Sequence, residues 1–336
     1  MQRNKYLRII TAFFGAPWAI MPDKLNAMAA FLQFAARGGK YSMDEVFEQI
    51  GPKAASPQAN GDRVSTIVVI PIQGIIDQKA ARVDDISGPG GTSTERLAKS
   101  FRSALSDETV KAIVFDIDSP GGTVYGVEEL ATEIYKSRGK KPIVAMVNSL
   151  AASAAYWLAS SADEIVITPG GEAGSIGVYM MHSDISKWLE DQGEKITFIQ
   201  AGEFKTEGNP YEPLTDEAQK YLQTRVDDYY GMFTKAVARN RNTTAAKVKS
   251  DFGKGRVFGA DEAVASGMVD RIATFEQTIQ RLAKSKSPSA EVEMPVIHGE
   301  SHENQTKDTN SPAKEEVRID TPSLRRQRER RRVEIL

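Results

Sequence analysis

The chain has 336 residues, is 40% apolar and carries a formal net charge of -2. That is enough for one large or two ordinary domains, and it offers no global charge that would recruit nucleic acid or an anionic membrane as main partner. With no cysteine and three histidines, two of them (His298 and His302) in a polar tail, the chain excludes disulfides, thiolate metal sites and a cysteine nucleophile, and it leaves little from which to build a histidine metal centre or a Ser-His-Asp triad.

In chain order, the apolar stretch Ile9 to Met21 is interrupted by Pro17 and is too short to cross a bilayer; no membrane span or export signal is expected. Asp23 is predicted to cap a helix that ends at Gly38 and Gly39, so residues 1–61 read as an accessory arm. The polar stretch GPKAASPQANGD separates it from a first strong strand over Ser65 to Ile70. Apolar runs at Ala112 to Ile117, Ile143 to Val147, Ile165 to Ile167 and Ile196 to Ile199 then alternate with helical patterns. One pattern is Val127, Leu130, Ala131 and Ile134; another is Leu222, Val226, Tyr229, Tyr230, Phe233 and Val237, capped by Thr215. Residues 62–275 therefore read as an α/β domain with buried strands. From about Ser285 the composition turns polar, which predicts that the segment 276–336 is a linker and a disordered tail. Its basic end, SLRRQRERRRVEIL, is either a solvated tail or a docking peptide.

Three segments carry chemistry. In IVFDIDSPGGTVYGVEEL a strand runs into Ser119-Pro120-Gly121-Gly122; two glycines let the backbone turn and present N–H groups, which suits an oxyanion hole and equally suits a plain strand-to-helix turn. Asp116 and Asp118 are read as solvent-facing or turn-capping carboxylates and not as a metal site. In NSLAASAAYWLASSADEI a strand is followed by a helix predicted from Leu150 to Ser161, with Ser153 in its first turn where unpaired N–H groups favour negative charge. The flanking Ala151, Ala152, Ala154 and Ala155 are either clearance for a substrate backbone or close packing around a capping serine. Ser149, Ser160 and Ser161 could cap as well, and residue chemistry does not choose among them. In FIQAGEFKTEGNPYEPLT, Lys205 follows a predicted strand. As a base it must be held neutral by desolvation, about 4 kcal/mol away from its ordinary equilibrium, with Phe204 beside it to help.

Together SPGG, AASAAYWLASSADEI, GSIGVYM and AGEFK, with GRVFGADEAVASGMVDRI near residues 255–272, resemble in order and interval the Ser/Lys peptidases of the signal peptide peptidase A family. The resemblance covers roughly residues 62–275. It implies a Clp protease/crotonase-like fold of repeated β-β-α units, here with a helical amino-terminal arm and a disordered carboxy-terminal tail. It also implies Ser153 as nucleophile, Lys205 as general base, Ser175 of GSIG orienting the lysine, and backbone N–H groups of Gly122 and Ala154 as the oxyanion hole, with no metal or cofactor. Where relatives commonly carry glycines after the nucleophile, this chain has Ala154 and Ala155. The implied partners are protein or peptide substrates and further copies of the chain, with the lysine presented across a subunit boundary.

The arm WAIMPDKL and the charged tail are similar to phage or prophage head maturation proteases. That branch would act in the bacterial cytoplasm, inside an immature capsid, on scaffold, portal or its own tail. The alternatives are a soluble bacterial peptidase that degrades peptides, and a non-catalytic capsid assembly or scaffold protein that docks through its tail.

Overall fold

The computed structural model describes residues 13–36, 62–64, 66–79 and 91–284. In chain order these form β1 (Trp18–Ile20), α1 (Pro22–Ala36), β2 (Asp62–Val64), β3 (Ile67–Asp77), β4 (Thr92–Ser93), α2 (Thr94–Ser106), β5 (Ala112–Thr123), α3 (Val127–Lys136), β6 (Ile143–Ala152) and α4 (Ala154–Ser160). They continue with β7 (Glu164–Ile167), β8 (Glu172–Gly174), α5 (Ser186–Asp191), α6 (Asp216–Asn240), α7 (Ala245–Asp251), β9 (Val257–Gly259), α8 (Ala260–Ala265), β10 (Arg271–Ile272) and α9 (Phe275–Lys284).

The sheet order among these is β10-β7-β6-β5-β3-β2, parallel throughout except for the β2–β3 pair. Parallel strands need both faces covered, and their sequences show it: Ile67–Ile70, Ala112–Phe115 and Ile143–Val147 are unbroken buried runs. One face carries α2, α3, α4 and the end of α6 through Phe101, Leu130, Ile134, Trp157, Phe233 and Val237. The other packs Val69, Val114, Val144 and Val166 against Leu282 of α9. This is the expected α/β architecture, and each β-β-α unit proves to be one long strand that changes partner midway. The β3–β5 register shifts between Gln73 and Ile75, and the β5–β6 register between Ile117 and Ser119. β6 pairs with β7 as far as Val147 and with β8 from Leu150 onward.

Several expectations are corrected. Ile196–Ile199 is not a strand: it finds no sheet partner among the described residues, and Ile199 is wholly exposed. β6 continues to Ala152, so the following helix starts at Ala154 and not at Leu150. α1 begins at Pro22, which puts Asp23 inside its first turn instead of at the cap. The amino-terminal arm is tied into the sheet through β1, and α9 runs past the boundary drawn at 275 with Leu282 buried. Residues 37–61 and the basic tail from 285 lie outside the described residues.

The helix that follows β6 is held from behind. Burial alone would push the Asp270 carboxyl up, but hydrogen bonds from Arg241 and from the Ile165 N–H outweigh it and hold it below the usual carboxylate range. Those bonds measure 2.6 Å from Arg241 Nη2, 2.9 Å from Arg241 Nη1 and 2.7 Å from Ile165 N. Two residues earlier the Met268 carbonyl accepts the Tyr156 hydroxyl at 2.9 Å. A carboxyl held low in the folded state stabilises above its unfolded value, about 3.9, and that stability is lost as pH falls through the folded value. Asp270→Asn is therefore expected to cost about 1–2 kcal/mol near neutral pH, the partial exposure of the carboxylate discounting the cost of a fully buried pair. Urea unfolding across pH should show the difference from wild type shrinking below about pH 4; a difference that stays constant to pH 3 would remove the ion pair as its cause.

Candidate active site

Ser153 stands alone between β6 and α4 with φ 57° and ψ -116°. A non-glycine residue with this backbone carries about 1–3 kcal/mol of strain, sustained only where the surroundings over-determine it. They do here: the Ser153 N–H donates to the Gly174 carbonyl of β8 at 2.7 Å, and the Ser153 carbonyl accepts the Trp157 N–H at 2.9 Å to open the helix. Its side chain lies 3.4 Å from the Gly177 carbonyl, and the residue is 1% exposed. Ala154 is the first helical residue, so its N–H has no acceptor inside the helix.

The alanines do not line open space. Ala151, Ala152, Ala154 and Ala155 are all fully buried, Ala151 pairing with Ser119 on one side and Ala173 on the other. Close packing is their role, and the reading of them as clearance for a substrate is corrected. Ser160 and Ser161 are also buried and bond back to the carbonyls of Trp157 and Leu158 at 2.7 and 2.5 Å. They finish α4, whose last carbonyls also accept from the Arg138 guanidinium at 2.7 and 2.9 Å.

SPGG is not a turn but the end of β5, which runs on to Thr123. Ser119 fixes it, donating to the Gly74 carbonyl at 2.6 Å and accepting the Gly121 N–H at 3.2 Å. A Cβ on Gly122 would meet the Ile76 carbonyl oxygen at 1.8 Å, so only glycine lets β5 and β3 close at this point. Gly121 has φ 101°, and its Cβ would meet Ser153 Cβ at 3.0 Å and the Ala19 carbonyl oxygen at 2.2 Å. The Gly-Gly strand and Ser153 are thus immediate neighbours.

Ser175 has the second strained serine backbone, φ 53°, and is 6% exposed, its N–H donating to the Arg256 carbonyl at 2.7 Å. The Ser153–Gly174 bond brings the two serines' backbones together. Lys205 is not brought to them. It lies exposed in a run of turns, its N–H on the Gly202 carbonyl at 3.1 Å, and among the described residues no hydrogen bond joins it to Ser153 or Ser175. Phe204, expected to desolvate it, is itself 53% exposed. Asp116 is partly buried, whereas Asp118 is exposed, in keeping with its reading as a solvent-facing carboxylate. Burial pushes both carboxyls up, offset in part by hydrogen bonds from Asn148 and Ser149 respectively. Sequence reasoning missed β1: three apolar residues carry no sign that they lie along Gly121–Thr123 beside Ser153.

Residues 136–288, which include Ser153, Ser175 and Lys205, match the model for peptidase family S49. The capsid assembly protease C of Escherichia phage lambda is 31% identical over 262 residues, 78% of this chain and 56% of the relative. The head-tail preconnector protein of Enterobacteria phage P21 is 31% identical over 84% of this chain and 58% of the relative. A Synechocystis sp. protein provisionally named a protease is 32% identical over 60% of this chain and 73% of the relative. The chain thus spans a little over half the length of the two phage relatives. Among solved structures, a membrane-bound stomatin-specific protease matches with a TM-score of 0.41 at 15% identity, covering 65% of this chain and 84% of that one.

If the Ser153 backbone is strained, glycine should fit there better than alanine. Ser153→Gly is expected to be more stable than Ser153→Ala by about 1 kcal/mol, the relief of strain exceeding the entropic cost of glycine. Equilibrium unfolding of the two variants tests this, and an alanine form as stable as the glycine form would contradict it.

Proposed function

Because the chain belongs to peptidase family S49, we propose that it is a serine endopeptidase that cuts peptide bonds through an acyl-enzyme on Ser153. The observation that carries this reading is the strained, buried corner at Ser153, set against the Gly121-Gly122 strand with the open helix N–H of Ala154 beside it.

In the proposed cycle neutral Lys205 takes the Ser153 hydroxyl proton as Oγ attacks the scissile carbonyl carbon. The N–H groups of Gly122 and Ala154 hold the resulting oxyanion, and Ser175 orients the lysine. The lysine ammonium then protonates the departing amine, leaving an ester on Ser153. Water, deprotonated by the same lysine, attacks the ester and releases the acyl product, and Ser153 recovers its proton.

Lys205 would enter this cycle across a subunit boundary. Trp188, Ile199 and Phe204, 51%, 100% and 53% exposed, precede it in the chain, large apolar side chains that a single chain leaves in water. Contact with a second copy would take the ammonium out of water, which favours the neutral amine that a base requires.

The likeness to two phage proteins, one a capsid assembly protease, supports a role in capsid maturation. The substrates would be scaffold, portal or the chain's own tail, cut within the immature capsid in the bacterial cytoplasm.

Intact mass of the full chain over time, with and without a candidate scaffold or portal protein, tests the reading. Ser153→Ala and Lys205→Ala are each expected to slow cleavage by about 10³-fold or more. Mixed oligomers of the two variants should recover a measurable part of the wild-type rate. No recovery in verified mixed oligomers would argue against presentation across subunits. A Ser153 that neither cuts nor takes up a fluorophosphonate probe in the assembled state would reduce the fold to a docking role.

A further inference from the structure

The groove beside Ser153 is filled by the chain itself. β1 runs antiparallel along the end of β5, Trp18 opposite Thr123, Ala19 opposite Gly122 and Ile20 opposite Gly121. On its other side Trp18 pairs with Tyr179, their N–H and carbonyl groups bonded both ways at 2.9 and 3.0 Å. An extended segment is therefore held by backbone bonds on both edges, as a peptide is when it adds to an open sheet.

The register identifies which residue faces the chemistry. The Val124 N–H donates to the Pro17 carbonyl at 3.3 Å, and the Met21 N–H to the Pro120 carbonyl at 3.0 Å. In an antiparallel ladder the hydrogen-bonded pairs recur at every second residue. The bonded pair between these two is Ala19 with Gly122, which directs the Gly122 N–H at the Ala19 carbonyl. That oxygen lies 2.2 Å, and Ser153 Cβ 3.0 Å, from the single point where Gly121 would carry a Cβ. Ala19 thus sits between the nucleophile and an oxyanion donor, where the acyl residue of a substrate belongs.

The arm is packed as a unit that can leave. Trp18, Ile20, Phe13, Leu25, Met28 and Leu32 form a cluster of their own that borrows only Ile75 among its buried members from the rest of the fold. The Trp18 indole N–H is spent within the arm, on the Phe13 carbonyl at 2.9 Å. Closure is also imperfect: the Tyr179 hydroxyl is buried with no hydrogen-bond partner among the described residues, a cost of about 1–3 kcal/mol that opening would relieve.

We infer that Pro17–Met21 is an internal occupant of the substrate groove, seating Ala19 in the acyl subsite and excluding extended peptides until it is displaced. The inference rests on the reading of Ser153 as nucleophile. It carries a specificity with it: an extended backbone with a small residue before the scissile bond, because Ala19 is fully buried there.

The test uses the full chain in a Ser153→Ala background, so that binding is read without turnover. The probe is a fluorescent peptide of residues 16–21, followed by anisotropy. Adding Ala19→Arg, which cannot seat its charge in that subsite, should expel the arm and tighten peptide binding by about tenfold or more, since an occluded groove lowers apparent affinity by its open fraction. Trp18→Ala should do the same by removing the anchor, which keeps the test decisive if the arginine form does not fold. A peptide carrying the same Ala-to-Arg change should not bind. Equal affinity with the native arm and with the loosened arm would overturn the inference, as would failure of every folded variant to bind. Acylation of the Ser153-containing forms by a fluorophosphonate separates the two readings. Labelling that rises with the loosened arm supports both. Peptide binding that responds to the arm while no form is labelled keeps the occupied groove and removes the catalytic serine.

Discussion

Around Ser153 the backbone must come within contact distance of other backbone, and the rest of the site depends on that closeness. Gly121 and Gly122 stand just before the end of β5 because no Cβ fits there: on one side is the Ile76 carbonyl of β3, on the other the Ala19 carbonyl and Ser153 itself. With side chains absent, the β5 edge presents only N–H and carbonyl groups. That is a surface which recognises a strand by its backbone and leaves selectivity to the few pockets beside it. The changes of partner within β3, β5 and β6 serve the same end, since they carry the strand ends away from the main sheet and leave β5 an edge over Gly121–Thr123.

Holding a serine with φ 57° at that edge takes structure behind it. α4 supplies it, with all seven residues from Ala154 to Ser160 buried. The Trp157 ring stacks on Phe233 of α6 with centroids 4.5 Å apart and planes 5° from parallel, and Asn240 of the same helix donates to Ser160 Oγ at 2.9 Å. Arg138 closes the carbonyl ends of α4 and α6 together, reaching the Asn240 carbonyl at 3.1 Å. The small residues of β6 and α4 are therefore the means by which core packing fixes the position of Ser153. The lysine segment is built the opposite way, with turns, exposed apolar side chains and no ladder.

Much of the fold was legible because the signals were local. Buried parallel strands announce themselves as unbroken aliphatic runs, and α6 as an amphipathic period with Thr215 at its cap, accepting the Ala218 N–H at 3.1 Å. Ile196–Ile199 carried the same aliphatic signal and still is not a strand, because a strand is completed by a partner and its own residues cannot supply one. The alanines around Ser153 were ambiguous for a related reason: small residues mean either space or closeness, and composition does not say what fills the room.

By itself the sequence determined the residue types from which chemistry can be drawn. It has no cysteine, almost no histidine, a serine at a strand-to-helix junction, paired glycines after an apolar run, and a lysine in a glycine-bracketed stretch. Only the tertiary structure decided which of these meet. Contacts between residues far apart along the chain depend on strand order and register, and a three-residue strand such as Trp18–Ile20 holds no local record of its partner. For that reason the arm beside Ser153 was invisible in the chain, while the glycines it lies against were plain from the start.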